Sequence, residues 1–285
     1  MMSSVEIQKR QNEIKFLKVQ YAARVCFNLA ETYNHFAWFA CIVSAFSIFM
    51  PNTWHEYILN GVPFAFDFAA MIFYVVASRN VGWGACLRKY FDAYVLEINS
   101  NQFLKSEEQR LCEKSETIFA KDLKNSVMQI RNTGHDNPPG VRDWYEFSKP
   151  LNGVDAQFEC QKQNIWWNKK LSQRRIPMTF LAGVCVAIVF VILMHTMNRS
   201  VLNTILCSGG IVLKIIERLF ENYKYARVSM QIDGSKKTIE VKPEIEYIKQ
   251  LQLLIDERRG INVLESNFWH KKIAAMLSRL YSKSS

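Results

Sequence analysis

The sequence has no P-loop, no G-x-G-x-x-G turn, no H-E-x-x-H helix and no G-x-S-x-G elbow. The local signatures of phosphate-cradling, zinc-hydrolytic and nucleophile-elbow enzymes are therefore missing, and no enzyme activity, metal or cofactor is expected. Seven cysteines, at 26, 41, 86, 112, 160, 185 and 207, form no C-x-x-C pair. An odd, scattered set argues against a disulfide framework or a zinc site and suits small apolar residues in a reducing compartment. No run of five basic residues occurs, so a basic tail for DNA or RNA polymers is not expected. The stretch 1–34 is too long and too acidic for a signal peptide, and nothing points to secretion. Internal repeats and low-complexity tracts are also missing.

What the chain does have is charge segregation. Its 285 residues carry a net charge of +10, with mean hydropathy near zero at −0.08. That average hides apolar blocks. No Asp, Glu, Lys or Arg lies between Glu31 and Glu56, and Phe36–Met50 is almost wholly apolar. A second block, Tyr57–Ser78, is interrupted only by Asp67; a third, Ile176–Asn198, is free of charge. A fourth, from Val201, reaches Ile216 with one charge, Lys214, and can extend to Leu219 if Lys214 snorkels. About 20 residues rising 1.5 Å each span a hydrocarbon core of roughly 30 Å.

Tight turns, Pro51–His55 and Asn198–Ser200, join the blocks in pairs, so each hairpin enters and leaves on one side. Of 36 basic residues, only Arg199 lies in a turn; the segments 1–34, 79–175 and 214–285 hold 5, 16 and 14. The positive-inside rule then places both termini and the middle segment in the cytoplasm, which accounts for most of the +10. The expected fold is an all-α membrane protein: four transmembrane helices in two hairpins plus a mainly helical cytoplasmic domain with one small β-hairpin. The expected division is 1–34 cytoplasmic helix, 35–79 first hairpin (36–53 and 57–78), 80–175 cytoplasmic helices, 176–219 second hairpin (177–197 and 201–219) and 220–285 cytoplasmic C-terminal segment.

Polar groups within the blocks are the functional candidates there. Asp67 sits mid-block, where a carboxylate is costly; it either lines a pore or pairs with His35, His195 or Lys214. Asn60, Asn203, Thr204 and Ser208 are further candidates. Small residues at four-residue spacing (Ala37, Cys41 and Ala45; Ala65 and Ala69; Gly183 and Ala187) allow close helix approach.

In the cytoplasmic segments, Ile7, Ile14, Leu17, Tyr21 and Val25 share a helical face that also carries Arg10 and Arg24. Those arginines either pair with carboxylates or serve a ligand. Leu87, Tyr90, Phe91, Tyr94 and Ile98 read as core. A charged helix over 107–131 precedes a turn at 132–140. In Val141-Arg142-Asp143-Trp144-Tyr145, arginine and aromatics suit either a phosphate-and-base site or a buried Arg–Asp pair under a Trp lid. A helix over 156–175 carries Cys160, Asn164, Trp167 and Leu171 on one face. Val228–Ile232 and Thr238–Val241 around Asp233-Gly234-Ser235 read as a β-hairpin. Helices over 243–258 and 266–281 follow.

Several segments together resemble the SMODS-associated four-transmembrane effector family, pore-forming proteins of bacterial cyclic-oligonucleotide anti-phage signalling (CBASS). They are Arg10-Gln11-Asn12 with Ala22-Ala23-Arg24; Leu87-Arg88-Lys89-Tyr90-Phe91-Asp92 with Val95-Leu96; Val141–Tyr145; Cys160–Trp167; and, more weakly, Leu251-Gln252 through Arg258 with Phe268-Trp269. Ile98-Asn99-Ser100-Asn101 departs from the family's Pro-Trp-Asn, and its proline near Val263-Leu264 is absent. The resemblance implies a homo-oligomeric inner-membrane effector activated by a cyclic nucleotide from a CD-NTase-type nucleotidyltransferase, which opens a pore and halts the infected cell. On that basis Arg142, Trp144, Tyr145, Gln161 and Asn164 are candidates to line the messenger site, with Arg10 and Arg24 as phosphate partners. A constitutive channel or transporter and a scaffold recruiting a soluble partner are the competing functions.

Overall fold

The computed structural model describes residues 2–51, 53–172, 175–196 and 200–263, and every regular element among them is helical. Helix α1 (Ser4–Gln11) opens on a capping box: Glu6 N–H donates to Ser3 Oγ (3.2 Å) while Ser3 N–H donates to the Glu6 carboxylate (2.7 Å). The chain breaks at Asn12–Glu13 before α2 (Ile14–Phe46). That break divides the single face read from the sequence, so Ile7, Leu17 and Tyr21 are buried while Ile14 is 59% exposed.

Helix α3 (Glu56–Val95) runs antiparallel to α2. Phe16 meets Tyr90 and Phe91, Phe27 packs on Gly84, and Tyr33 stacks on Phe73. The expected helix over 107–131 is two helices, α4 (Lys105–Lys121) and α5 (Leu123–Arg131), because Asp122 accepts the Asn125 N–H and caps the second. After an irregular segment come α6 (Gly153–Ser172), α7 (Arg175–Thr196), α8 (Val201–Val241) and α9 (Ile245–Gly260). Helix α8 packs on both α2 and α3. Helix α7 lies along α8, with Gly183 against the Ile215 methyl and Asn222 Nδ2 donating to Thr179 Oγ1 (3.2 Å). The expected helix over 266–281 and the turn at 198–199 lie outside the described residues.

The expected β-hairpin is not formed; residues 228–241 continue α8. Strand alternation would bury Val228, Met230 and Ile232 together. Instead Val228 and Ile232 are buried and Met230 is 68% exposed, as 3.6-residue periodicity requires. Tyr225 and Ile239 continue the buried stripe, and Gly234 faces open space, where a mid-helix glycine costs only about 1 kcal/mol.

Helices α2, α3 and α8 each invert their polarity part-way along. In the halves towards Ile14, Val95 and Val241 apolar residues point in: Leu17 and Tyr21, Leu87 and Phe91, Val228 and Ile232. In the other halves large apolar side chains point out, including Phe39 and Phe46, Phe64 and Phe68, Leu202 and Leu213, while Ser44, Ser47, Asn203, Thr204 and Lys214 are buried. Water favours the first arrangement and lipid the second, since so broad an apolar surface marks a membrane or protein contact. One helix, Tyr57–Val95, is long and apolar enough to cross a membrane by itself, and Thr179–Leu193 is a shorter apolar helix. The other two are less uniform: α2 enters its apolar half past Asn34 and His35, and α8 carries Lys214, Glu217 and Arg218. All three run unbroken across the expected boundaries at 34, 79 and 219.

Two glycine substitutions test the helical assignment. Gly234→Ala should raise the thermal midpoint by the equivalent of up to ~1 kcal/mol, since it removes only a helix-interior penalty. Gly84→Ala, whose new methyl would sit 2.9 Å from the Phe27 ring, should lower it. A destabilised Gly234→Ala protein would return 228–241 to a hairpin.

Candidate functional site

Where the halves with apolar interiors meet, Asp92 is fully buried on the last turn of α3. A buried carboxylate needs donors on both oxygens. The Tyr145 hydroxyl donates to Oδ1 (2.6 Å); Gln252 Nε2 (3.1 Å) and Arg259 Nη1 (2.6 Å) donate to Oδ2. Arg259 also reaches Asp256 Oδ1 (3.2 Å). Asn164 Nδ2 donates to the Tyr145 hydroxyl (2.9 Å), and Gln161 Nε2 to the Ile248 carbonyl (3.0 Å) and Gln252 Oε1 (3.2 Å). Tyr145, Gln161 and Asn164 are thus brought together, around an aspartate on α3 and an arginine on α9.

Electrostatics follow from burial. Burial opposes the charge on Arg259, but Asp92 and Asp256 more than offset it and its pKa is raised. Burial pushes the Asp256 carboxyl up to about 6 against the pull of Arg259, with Asp92 adding to the rise. Burial, with Asp92 alongside, holds the Tyr145 hydroxyl well above its ordinary range.

The remaining sequence candidates lie around this cluster. Arg10 pairs with Glu97 (2.5 Å) and donates to the Tyr94 carbonyl, tying α1 to the end of α3. Arg24 donates to the carbonyls of Pro139 (2.7 Å) and Gly140 (2.9 Å) and to Gln129 Oε1, holding the 132–140 turn. Arg142 is exposed, and its N–H donates to the Asn132 carbonyl. Trp144 lies on Arg88, whose Cζ is 3.9 Å from the ring centre. The Trp lid read from the sequence therefore covers an arginine of α3 instead of Arg142. Gln11 exchanges two hydrogen bonds with the Tyr145 backbone, and Asn12 exchanges two with Asp143, fixing the loop that delivers Tyr145.

Arg88 and Asp92 were not singled out, yet a signal exists. They fall one turn apart on the stripe of Leu87, Phe91 and Val95, so two charges occupy positions an apolar helix face should bury. Arg88 is 9% exposed, and its Nη1 is buried without a hydrogen-bond partner among the described residues. Burial, and the cations of Arg259 and Arg24, lower its pKa to about 9. Gln20, fully buried on α2, has neither amide atom partnered among these residues.

In the apolar halves, the polar candidates line the seam between α2, α3 and α8. Asp67 Oδ2 accepts the Gly210 N–H (3.1 Å), so Asp67 is not joined to His35, which lies 3.4 Å from Glu31, or to Lys214, which donates to Glu217 (3.2 Å) over the Tyr74 ring. A methyl at residue 210 would collide with the Asp67 carboxylate. Asn203 Nδ2 donates to the Leu59 carbonyl (3.3 Å), four residues before Pro63 and therefore lacking its helical N–H, and lies 3.4 Å from Asn60 Oδ1. Thr204 Oγ1 donates to the Ser200 carbonyl, and Ser47 Oγ lies 3.2 Å from Cys207 Sγ. Ser208 is half-buried beside them.

The sequence model of a family described as the SMODS-associating 4TM effector domain matches residues 5–226. The chain belongs to this family. No curated protein and no solved structure matches it. The matched stretch holds α2, α3, α7 and the apolar half of α8 together with Arg88, Asp92, Tyr145, Gln161 and Asn164. The partners that α9 gives Asp92, Gln252 and Arg259, lie beyond it.

Two predictions follow from these contacts. Asp92→Ala strips Arg259 of its main anion and should cost about 3–5 kcal/mol, as breaking a buried pair does. Unfolding in detergent measures this, and a loss no larger than that of an exposed Glu113→Ala would dismiss the cluster as a structural tie. Asn203→Leu should cost about 1–3 kcal/mol by orphaning the Leu59 carbonyl. In a Pro63→Ala background, where residue 63 regains its N–H, the same substitution should cost clearly less. Equal costs in both backgrounds would refute the assignment.

Proposed function

We propose that this family member is a four-crossing protein of the bacterial inner membrane, with both termini cytoplasmic, that acts as an anti-phage effector. In this reading a cyclic nucleotide made by a CD-NTase-type nucleotidyltransferase reaches the cytoplasmic helices. A homo-oligomeric pore then forms or opens and disrupts the membrane, ending the infection with the cell. The family supports the effector assignment, and the inverted halves of α2, α3 and α8 support the membrane placement.

The observation that carries the gating mechanism is continuity. Asp67 of the membrane seam and Asp92 of the cytoplasmic cluster lie on one helix, about 37 Å apart at 1.5 Å per residue. A rearrangement around Asp92 therefore moves the seam through rigid backbone. Gating also requires that the messenger bind one arrangement of the cluster more tightly than the other. Candidates to line the pore are Asp67, Asn60, Asn203, Thr204 and Ser208.

The test is dye release from liposomes holding the purified full chain, challenged with a panel of cyclic di- and trinucleotides. Release with one nucleotide and none without is the expected result, and Asp67→Asn should change the ionic preference of the current in planar bilayers. Release without any nucleotide would replace this reading with a constitutive channel. Binding without release would replace it with a scaffold that recruits a soluble partner.

A further inference from the structure

The buried cytoplasmic polar groups separate into two sets. Arg24, Arg258 and Arg259 are satisfied, by carbonyl oxygens or carboxylates. Arg88 Nη1 and both amide atoms of Gln20 are buried without a hydrogen-bond partner among the described residues, as are Gln161 Oε1 and Ser229 Oγ, but Arg88 alone of these carries a charge. Contacts of Phe16 with Phe91 and of Phe27 with Gly84 fix the antiparallel register of α2 and α3, which puts Gln20 level with Arg88. Gln20 also lies one turn from Arg24, itself near enough to Arg88 to disfavour its charge.

Asp92, one turn away, attracts the Arg88 guanidinium, but its oxygens are taken by Tyr145, Gln252 and Arg259. A buried Arg88 N–H facing two more cations, with an unpartnered amide at its level, is therefore left short of an acceptor. The missing acceptor is an anion, and guanidinium geometry favours phosphate or carboxylate oxygens. Trp144 makes the choice between them: one face of its ring covers the Arg88 guanidinium, and the residue is 36% exposed. An exposed indole beside a phosphate-binding cation is a stacking platform for a base.

We propose that Arg88 and Gln20, beneath Trp144, form the anion site of a nucleotide ligand, holding a phosphodiester oxygen while the base stacks on the indole. The site deepens the signalling reading above and rests on it for the identity of the ligand. It shifts the phosphate partner from Arg10, Arg24 and Arg142 to Arg88.

The experiment uses the full chain in nanodiscs of neutral phosphatidylcholine. Binding of the cyclic-nucleotide panel and of pyrophosphate is followed by calorimetry and by the thermal midpoint. Wild type should bind one nucleotide; Arg88→Gln should weaken it roughly tenfold or more, and Arg88→Lys less. Gln20→Leu should weaken binding while leaving the ligand-free midpoint unchanged or higher, because it removes an unmatched buried amide. It carries the test if Arg88→Gln does not fold. Trp144→Phe should weaken nucleotide but not pyrophosphate. Nucleotide binding unaffected by these variants would overturn the site and leave the signalling reading standing. Pyrophosphate binding lost in Arg88→Gln, with no nucleotide bound by wild type, would keep the anion site and overturn the signalling reading. An Arg88-dependent midpoint shift seen only on adding phosphatidylglycerol would assign the anion to a lipid headgroup and overturn the nucleotide assignment.

Discussion

The helices outside the apolar halves depend on the burial of Asp92. A carboxylate excluded from water must be met by donors, and its three donors come from two distant parts of the chain. Tyr145 arrives on a loop pinned by Gln11 and Asn12, while Gln252 and Arg259 arrive on α9. Satisfying one side chain therefore fixes the mutual placement of α1, α3, the 141–145 loop and α9, with α6 joined through Asn164 and Gln161. Apolar packing alone tolerates sliding, because one aliphatic contact can replace another. A hydrogen-bonded ion pair with a fully buried carboxylate does not, since each displaced donor leaves an unmatched charge.

The bulk of the fold was legible because it rests on composition. Charge-free blocks become helices wherever the backbone must bond to itself in lipid, and no tertiary knowledge is needed to see them. Residues 228–241 misled because Asp233-Gly234-Ser235 has turn composition and the flanks are rich in Val, Ile and Thr. The helix wins there through burial of Val228, Ile232 and Ile239 against the rest of the domain, a gain that local composition does not express. The helix read over 107–131 likewise ignored Asp122, whose side chain ends one helix by starting another.

The site was legible in part, and for a physical reason. Tyr145 is legible beside Arg142 and Trp144, and Asn164 as a polar group on an apolar helix face; Gln161 comes only with the family resemblance, and buried polar groups of this kind are driven to find one another. Arg142 stood out equally but is exposed; adjacency to Trp144 in sequence says nothing about which cation the ring covers. That cation is Arg88, brought under the indole by the α2–α3 hairpin and the 132–145 segment. Arg259, 167 positions from Asp92, could not be paired with it by any local pattern.

In the apolar half, the same rule of matching polar groups would limit how the proposed pore is built. Asp67, Asn203 and Lys214 face the α2–α3–α8 seam of a single protomer, and each has a partner there. The large side chains facing outward from these helices, such as Phe39, Phe64, Phe68, Ile205 and Leu213, are apolar. Protomers joined through that outer surface as it stands would enclose an apolar lumen, which water and ions enter only at high cost. A conducting lumen requires the seam to turn toward the axis, so that water or neighbouring protomers take over the bonds Asp67 makes to Gly210 and Lys214 makes to Glu217. Because α3 and α8 continue unbroken into the helices around Asp92, that turn cannot occur without displacing the ends that hold Asp92 and pack against α9. In the proposed function, opening the seam and rearranging the cluster would thus be one conformational change, at two levels of the same helices.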